Sequence, residues 1–452
     1  MAGGTWLSQN KILPGVYINV KSKGNMPVSV GQKGVVAICE PLSWGPTGKI
    51  SEYIPGDDPT SIIGNNLLSD DALFLREMCK GSDTTPPPKK ILIYRPAGSS
   101  GVKATATIGA LTVTAKYTGT RGNDITIVIT ADPDASGYYY VVTSIDGELV
   151  DSQYIDALDD LVSNDWVDFS GTGTTITTTA GTALTTGADP TVSATDYADF
   201  MTKVEPYQFD VVCYDGSNAT IASALQAFVI RVSNEVGRKC ILVAAGMTTP
   251  NSERVINVLN GVKLSDGTSL TAQQATWWVA GAEAGAPYNK SLTFAQYPGS
   301  IEANPKKTTS ELETAVTAGQ LVFFDEFELV RVCTDINSLT SYTPDKGSEF
   351  SKNRVMRVLD QICNDVYAQF SKYYIGKLDN NDDGRGLMKA WIVGYLKEMQ
   401  ANNGIQDFDA SDVTVEQGET LDSVVVTIAI MPVDSVEKVY TTITVSITKK
   451  EG

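Results

Sequence analysis

The 452-residue sequence contains no histidine. That absence excludes every triad or dyad built on an imidazole base, zinc sites of the HExxH kind, and proton transfer by the side chain that titrates unaided near neutral pH. Ser–Lys, carboxylate and lysine chemistries are what remain for an enzyme. Cysteine is sparse as well. Cys39, Cys79, Cys213, Cys240, Cys333 and Cys363 are widely scattered, and none forms a CxxC pair. Several stand in apolar runs such as VVAICE and DVVCYD, so they read as buried, reduced thiols and not as a disulfide framework or zinc site. No stretch approaches the ~18–20 consecutive apolar residues of a membrane helix. The N-terminal MAGGTWLSQNKILPG has no apolar h-region, so the expectation is a protein that works or assembles in the cytoplasm. Positive charge is in short supply: 35 basic residues face 53 acidic ones, a formal net charge of −18. Such a chain suits neither nucleic acid nor an anionic membrane as a direct partner.

What is present is a globular balance, with 42% hydrophobic and 19% charged residues over a length that implies several domains. Residues 1–26 read as an extended arm, because Pro14 and Gly15 block a helix while Val16, Tyr17, Ile18 and Val20 favour extended backbone. Residues 27–95 alternate strand and helix. GVVAICE and ILIYR are buried strands, and SDDALFLREMCKG is an amphipathic helix with a serine or aspartate cap and a glycine stop. Residues 96–190 change style, with Thr, Gly, Ala, Ser and Asp in strand-like stretches (ATATIGALTVTAKY, DITIVIT, YYYVVT) beside the turn signals ADPDASG and IDGE. This fifth of the chain holds three basic and twelve acidic residues, half of the net charge. It reads as an inserted, outward-facing all-β domain.

Residues 191–335 resume the α/β alternation, so the insertion splits an α/β domain with a largely parallel sheet. AQQATWWVAGAEAG is a small-residue helix built for close packing, and LVFFDEFELVRVCTDI reads as strand, turn, strand. Residues 336–435 form a C-terminal α/β domain, with helical periodicity over 349–378 and 386–402 and a strand in SVVVTIAIM. Residues 436–452 form a terminal arm. In VYTTITVSIT, Val439, Thr441, Ile443, Val445 and Ile447 alternate onto one face of a predicted strand.

The chemistry-bearing motifs are incomplete. DNNDDG places Asp379, Asn381, Asp383 and Gly384 like the start of a calcium loop, but Ala390 stands where a bidentate glutamate belongs, so a helix-linking Asx turn is the better reading. GPTGK at 45–49 has two residues between its glycines where a phosphate loop has four, and it reads as a surface turn. The acidic pairs Asp57–Asp58 and Asp159–Asp160 read as solvated surface, and Trp277–Trp278 as helix packing. No catalytic, cofactor or metal residue is assigned. The two termini carry more information. Exposed, an apolar arm and a long alternating strand are aggregation hazards. Each pairs within its own chain or adds to a neighbour's sheet.

Taken together, LPGVYINV, TGTRGNDITI, WWVAGAEAGAPYNKSLTFAQYPG, LVRVCTDINSLTSYTPDKGSEFSKNRVMRVLDQI and GYLKEMQANNGIQDF resemble, in order and spacing, the contractile phage tail sheath family, in the layout of Gram-positive myophages and PBSX-like defective prophages. The resemblance implies a subtilisin-like α/β domain split by a β-sandwich, then a C-terminal α/β domain, with extended arms at both ends. Subtilisin-like describes shape alone, since a chain without histidine cannot carry that triad. It also implies a structural subunit in stacked hexameric rings around an inner tail tube protein, working with baseplate and tail terminator proteins, assembled in the host bacterial cytoplasm. The implied intersubunit residues are Leu13, Pro14, Gly15, Val16, Tyr17 and Ile18 in the N-terminal arm, and Val439, Tyr440, Ile443, Val445 and Ile447 in the C-terminal strand. Residues 345–400 carry nine basic and eight acidic residues, which makes Lys352, Arg354 and Arg357 candidates for facing the tube. The competing reading is a hydrolase-like or ligand-binding α/β protein with an accessory β module, which requires a cleft with convergent polar groups.

Overall fold

The computed structural model describes residues 33–445, together with the backbone of 2–4 and 15–17. It divides into two units: Gln32–Gln369 with Pro432–Gly452, and Met1–Gly31 with Phe370–Met431.

The larger unit opens with β1 (Val35–Cys39), β2 (Ile50–Tyr53) and β3 (Lys90–Tyr94). Seven strands of the insertion follow: β4 (Lys103–Ile108), β5 (Leu111–Thr118), β6 (Ile125–Ala131), β7 (Tyr139–Ile145), β8 (Glu148–Ile155), β9 (Val167–Ser170) and β10 (Thr179–Ala183). The chain then returns through β11 (Val211–Cys213), β12 (Ile241–Ala245), β13 (Val255–Val258) and β14 (Gln320–Leu321). The central sheet runs β14–β13–β12–β11–β1–β3–β2, parallel throughout except for β2.

Its strands are short apolar runs because both faces are covered. Val36, Ile38, Ile91, Ile93, Val211 and Val243 point into one core, shared with α1 (Leu73–Met78). Ala37, Leu92, Val212 and Leu242 point into the other, against Phe200 of α2 (Ala194–Val204) and Leu225 and Phe228 of α3 (Ala219–Arg231). The helices start where the sequence places polar caps. Ser193 and Asp196 form a capping box, and Asn218 accepts bonds from the Thr220 and Ile221 amides.

The small-residue helix is α4 (Ala272–Gly285), capped by Thr271 and Gln274 and packed in the first core. A methyl group on Gly281 would overlap the Met78 carbonyl, and one on Gly285 that of Pro86. Backbone therefore meets backbone here, and glycine is the residue that permits it. Trp278 is fully buried and donates its Nε1–H to the Gly81 carbonyl at 2.7 Å, so the tryptophan pair packs as the sequence predicts.

The insertion is a β-sandwich of two antiparallel sheets, β8–β7–β6–β10 and β9–β5–β4. Its strands alternate inward Ile125, Ile127, Ile129, Val113, Ala115 and Val141 with more exposed neighbours, among them Thr112, Thr114, Lys116 and Thr126. The connections into and out of it run side by side, bridged at Ser99–Thr191, Val102–Ala188 and Thr105–Thr185. Trp44, from the loop after β1, plugs the sandwich core, with ring centroids 4.9 Å from Trp166 and 5.3 Å from Tyr117. Arg95 fastens the same seam: its guanidinium donates to the carbonyls of Leu42 (2.8 Å), Gly45 (2.5 Å) and Thr118 (2.7 Å).

After α5 (Thr309–Thr317), β15 (Phe323–Glu326) and β16 (Leu329–Val332) form the strand–turn–strand expected there. Helix α6 (Asn353–Tyr373) begins in the larger unit, and its last residues belong to the smaller one. The smaller unit is built on α7 (Asp382–Ala401), whose Trp391, Ile392, Tyr395, Leu396 and Met399 are buried. The DNNDDG stretch serves α7 as its cap: Asn381 Oδ1 accepts the Gly384 amide at 2.8 Å. A hairpin of β17 (Val413–Gln417) and β18 (Val424–Ile428) completes the unit. Asn380 holds its turn, donating to the carbonyls of Leu421 and Ser423 at 2.8 and 2.9 Å.

Candidate assembly interface

The C-terminal segment departs from its sequence-based expectation. A strand is predicted over VYTTITVSIT, yet residues 433–445 pair with no strand among the described residues. Val436, Val439, Tyr440, Ile443 and Val445 stand in solvent, Tyr440 at 91% exposure. Isolated backbone has no ladder to join, so strand-forming side chains alone do not make a strand. Ile447 lies outside the described residues.

One side chain fastens this segment at its root. Glu437 accepts a hydrogen bond from Thr293 Oγ1 at 2.7 Å and an ion pair from Lys352, and its carboxylate is only 14% exposed. Thr293 Oγ1 in turn accepts the Asp335 amide at 2.9 Å. The segment is thus held at residue 437 and bare beyond it.

The three candidate tube-facing residues separate. Lys352 is engaged by Glu437, and Arg354 is partly buried with Asp434 nearby. Arg357 is not a surface residue at all. It is buried and ion-paired with both Glu283 of α4 and Asp335, and it also donates to the Lys290 carbonyl at 2.8 Å. This corrects its assignment: the apolar face of α6 draws Arg357 inward, where two acidic side chains from elsewhere in the chain receive its guanidinium. Burial pushes the Glu283 acid up to about 8, against the pull of Arg357. Burial acts on Asp335 in the same direction, but Arg357, the Glu283 carboxyl and the Leu292 amide together hold it below its ordinary value. Glu283 therefore keeps its proton and bonds Asp335, leaving one carboxylate for one guanidinium.

In the N-terminal arm, Gly15–Tyr17 pairs in parallel with Ala2–Gly4. Leu13, Pro14 and Ile18 lie outside the described residues. In the smaller unit, β17 and β18 pair only with each other among the described residues, so both outer edges of the hairpin present free backbone groups. Val413 is buried and Val424, Val426 and Ile428 are half-buried, while Val425 on the other face is exposed. Sequence reasoning recognised the β18 strand but not that its sheet has only two strands among the described residues. The Glu437 clasp was also missed, since its partners lie 85 and 144 residues away.

Three family descriptions match consecutive stretches: the phage tail sheath protein beta-sandwich domain over residues 99–189, the phage tail sheath protein central domain over 191–338, and the phage tail sheath C-terminal domain over 345–446. The phage-like element PBSX protein XkdK of Bacillus subtilis is 32% identical, over 97% of this chain and 99% of its own length. The chain belongs to the phage tail sheath family. The crystal structure of a sheath tail protein from Desulfitobacterium hafniense superposes with a TM-score of 0.85 at 40% identity, covering 94% of this chain and 99% of that one. The helical sheath of the anti-feeding prophage in its contracted state shares the fold, with a TM-score of 0.57 at 13% identity over 96% of this chain and 99% of that one. Sheath proteins are structural, and this one is a tail sheath subunit of a contractile phage tail or phage-tail-like particle.

Proposed function

We propose that this sheath subunit polymerises as stacked hexameric rings around an inner tail tube protein, and that it contracts to drive the tube through a target cell envelope. Its C-terminal segment, and the N-terminal arm around Gly15–Tyr17, add as strands to the open hairpin β17–β18 of neighbouring subunits. The observation that carries this reading is the bare row of Val439, Tyr440, Ile443 and Val445, a strand-forming sequence with no strand partner among the described residues. Donor and acceptor edges on one molecule make a heterologous contact that repeats without closing, and so a filament. Backbone pairing keeps subunits linked while their bodies move as rigid units from a metastable extended lattice to a contracted one. The central sheet supplies a subtilisin-like body. The acidic sandwich faces outward, and the near-neutral region 345–400 lies toward the tube. The ends of the stack meet baseplate and tail terminator proteins, and assembly takes place in the host bacterial cytoplasm.

Negative-stain electron microscopy of the full chain and of a chain lacking residues 436–452 tests this. The full chain forms long tubes. The truncated chain keeps its circular dichroism spectrum and forms none. Tubes of equal length from both overturn the strand-exchange reading, and compact particles from both overturn the sheath geometry.

A further inference from the structure

At the carboxyl end of the central sheet, β1 lies between β3 and β11. The chain winds outward one way from β1 to β3 and the other way from β11 to β12, so the β1–β11 crevice is the switch point of the sheet. Cys213 sits opposite Ile38 in register, and two residues farther on in each strand stand Asp215 and Glu40. Continuing that register sets Glu40 and Asp215 side by side on one face of the sheet, just past the ends of β1 and β11. Asp215 Oδ2 accepts the Trp277 Nε1–H at 2.8 Å, whereas Glu40 Oε2 is buried and meets no donor.

Two neighbouring buried carboxyl groups with no cation beside them favour the state in which one keeps its proton. Among the described residues, the surroundings supply no cation. A cavity of about 330 Å³ beside Glu40 is lined by Asp70, Asp71 and Asp189 with Ser43, Thr120, Gln274 and Trp277, and among the described residues its lining contains no lysine or arginine. The other titratable groups around the pair are Cys39, Cys213, Tyr197, Tyr214 and Asp196, none of which carries positive charge. Burial first, and then the facing Asp215, raises the Glu40 acid well above the ordinary carboxylate range.

The position of the pair gives this proton a mechanical role. Glu40 is the root of the loop that carries Leu42 and Gly45 to Arg95 and Trp44 into the sandwich core. Ionising both carboxyls places two like charges side by side at the root of that plug. We propose that the Glu40–Asp215 pair is a proton-held lock on the seam between the β-sandwich and the central sheet, closed when the pair shares a proton and opened by its loss. Because the folded state binds this proton more tightly than the unfolded chain, the stability it contributes is full below the ordinary glutamate value of 4.5 and is lost as pH rises through the raised value.

The test is hydrogen–deuterium exchange on the full chain, corrected for intrinsic rates, across about pH 5 to 9, on wild type and Glu40→Gln. Glutamine can still donate a hydrogen bond but cannot ionise. The expected result is a rise of about tenfold or more in exchange at residues 41–45 and 117–119 of the wild type as pH increases, absent in Glu40→Gln. An equal rise in both proteins overturns the proposal, as does a wild-type profile flat over the whole range. If Glu40→Gln does not fold, the wild-type profile remains decisive on its own, because a flat profile overturns the proposal.

Discussion

Arg254 grips Asp360 with one nitrogen, Nη1, set 2.7 and 2.6 Å from its two carboxylate oxygens, and both side chains are buried. The pair bolts α6 to the sheet just ahead of β13. Removing one partner strands the other charge in the interior. Arg254→Ala is therefore expected to destabilise the larger unit by about 3–5 kcal/mol, and the double change Arg254→Met with Asp360→Leu by much less. Urea unfolding followed by tryptophan fluorescence measures both.

A second prediction concerns pH. Glu283 binds its proton more tightly folded, at about 8, than unfolded, at its ordinary 4.5. Its contribution to stability is complete below about 4.5 and disappears as pH rises toward about 8. Glu283→Gln should flatten the dependence of melting temperature on pH within that window. Calorimetry at a series of pH values reads it. This slope is common to wild type and Glu40→Gln, so the two acids are separable.

Two glycines in helices should respond oppositely to alanine. At Gly281 the added methyl meets the Met78 backbone, which cannot yield without parting α1 from α4, and a loss of about 1–3 kcal/mol is expected. At Gly386 in α7 nothing lies within 4 Å of the added carbon, and the change should stabilise the helix by about 0.5–1 kcal/mol. Thermal melts distinguish the two signs.

Val445→Asp and Glu437→Ala probe the terminal segment at different points. Val445 is exposed, so aspartate there should leave the melt of the unassembled subunit within about 0.5 kcal/mol of wild type while abolishing tubes. Glu437→Ala releases the root of the segment, and limited trypsin digestion should cut after Lys438 several-fold faster. A cutting rate equal to wild type would mean that the clasp does not restrain the segment.

Much of this was legible in the sequence because it depends on local pattern. The α4 run AQQATWWVAGAEAG shows its small residues, and the composition of 96–190 marks the insertion. What was not legible depends on distant residues meeting. Arg357 looks like a helix-surface cation until Glu283 and Asp335, 74 and 22 residues away, fold against it. Glu40 and Asp215 look like ordinary acids after apolar strands, and only the order of the sheet places them side by side. The terminal segment differs for the converse reason: its alternating pattern is there, but a strand is a relation between two chains of backbone, and among the described residues it has none to pair with.

The paired stem at Ser99–Thr191, Val102–Ala188 and Thr105–Thr185 brings the two ends of the insertion together before it reaches the central sheet. To the rest of the chain, some ninety residues of sandwich then resemble a short turn. Loop-closure entropy grows only slowly with length, and here the closure is made inside the insert itself. The central sheet is therefore indifferent to what the stem encloses. A change in the size of the inserted module would then leave the strand order of the body untouched, provided Trp44 still finds a core to fill.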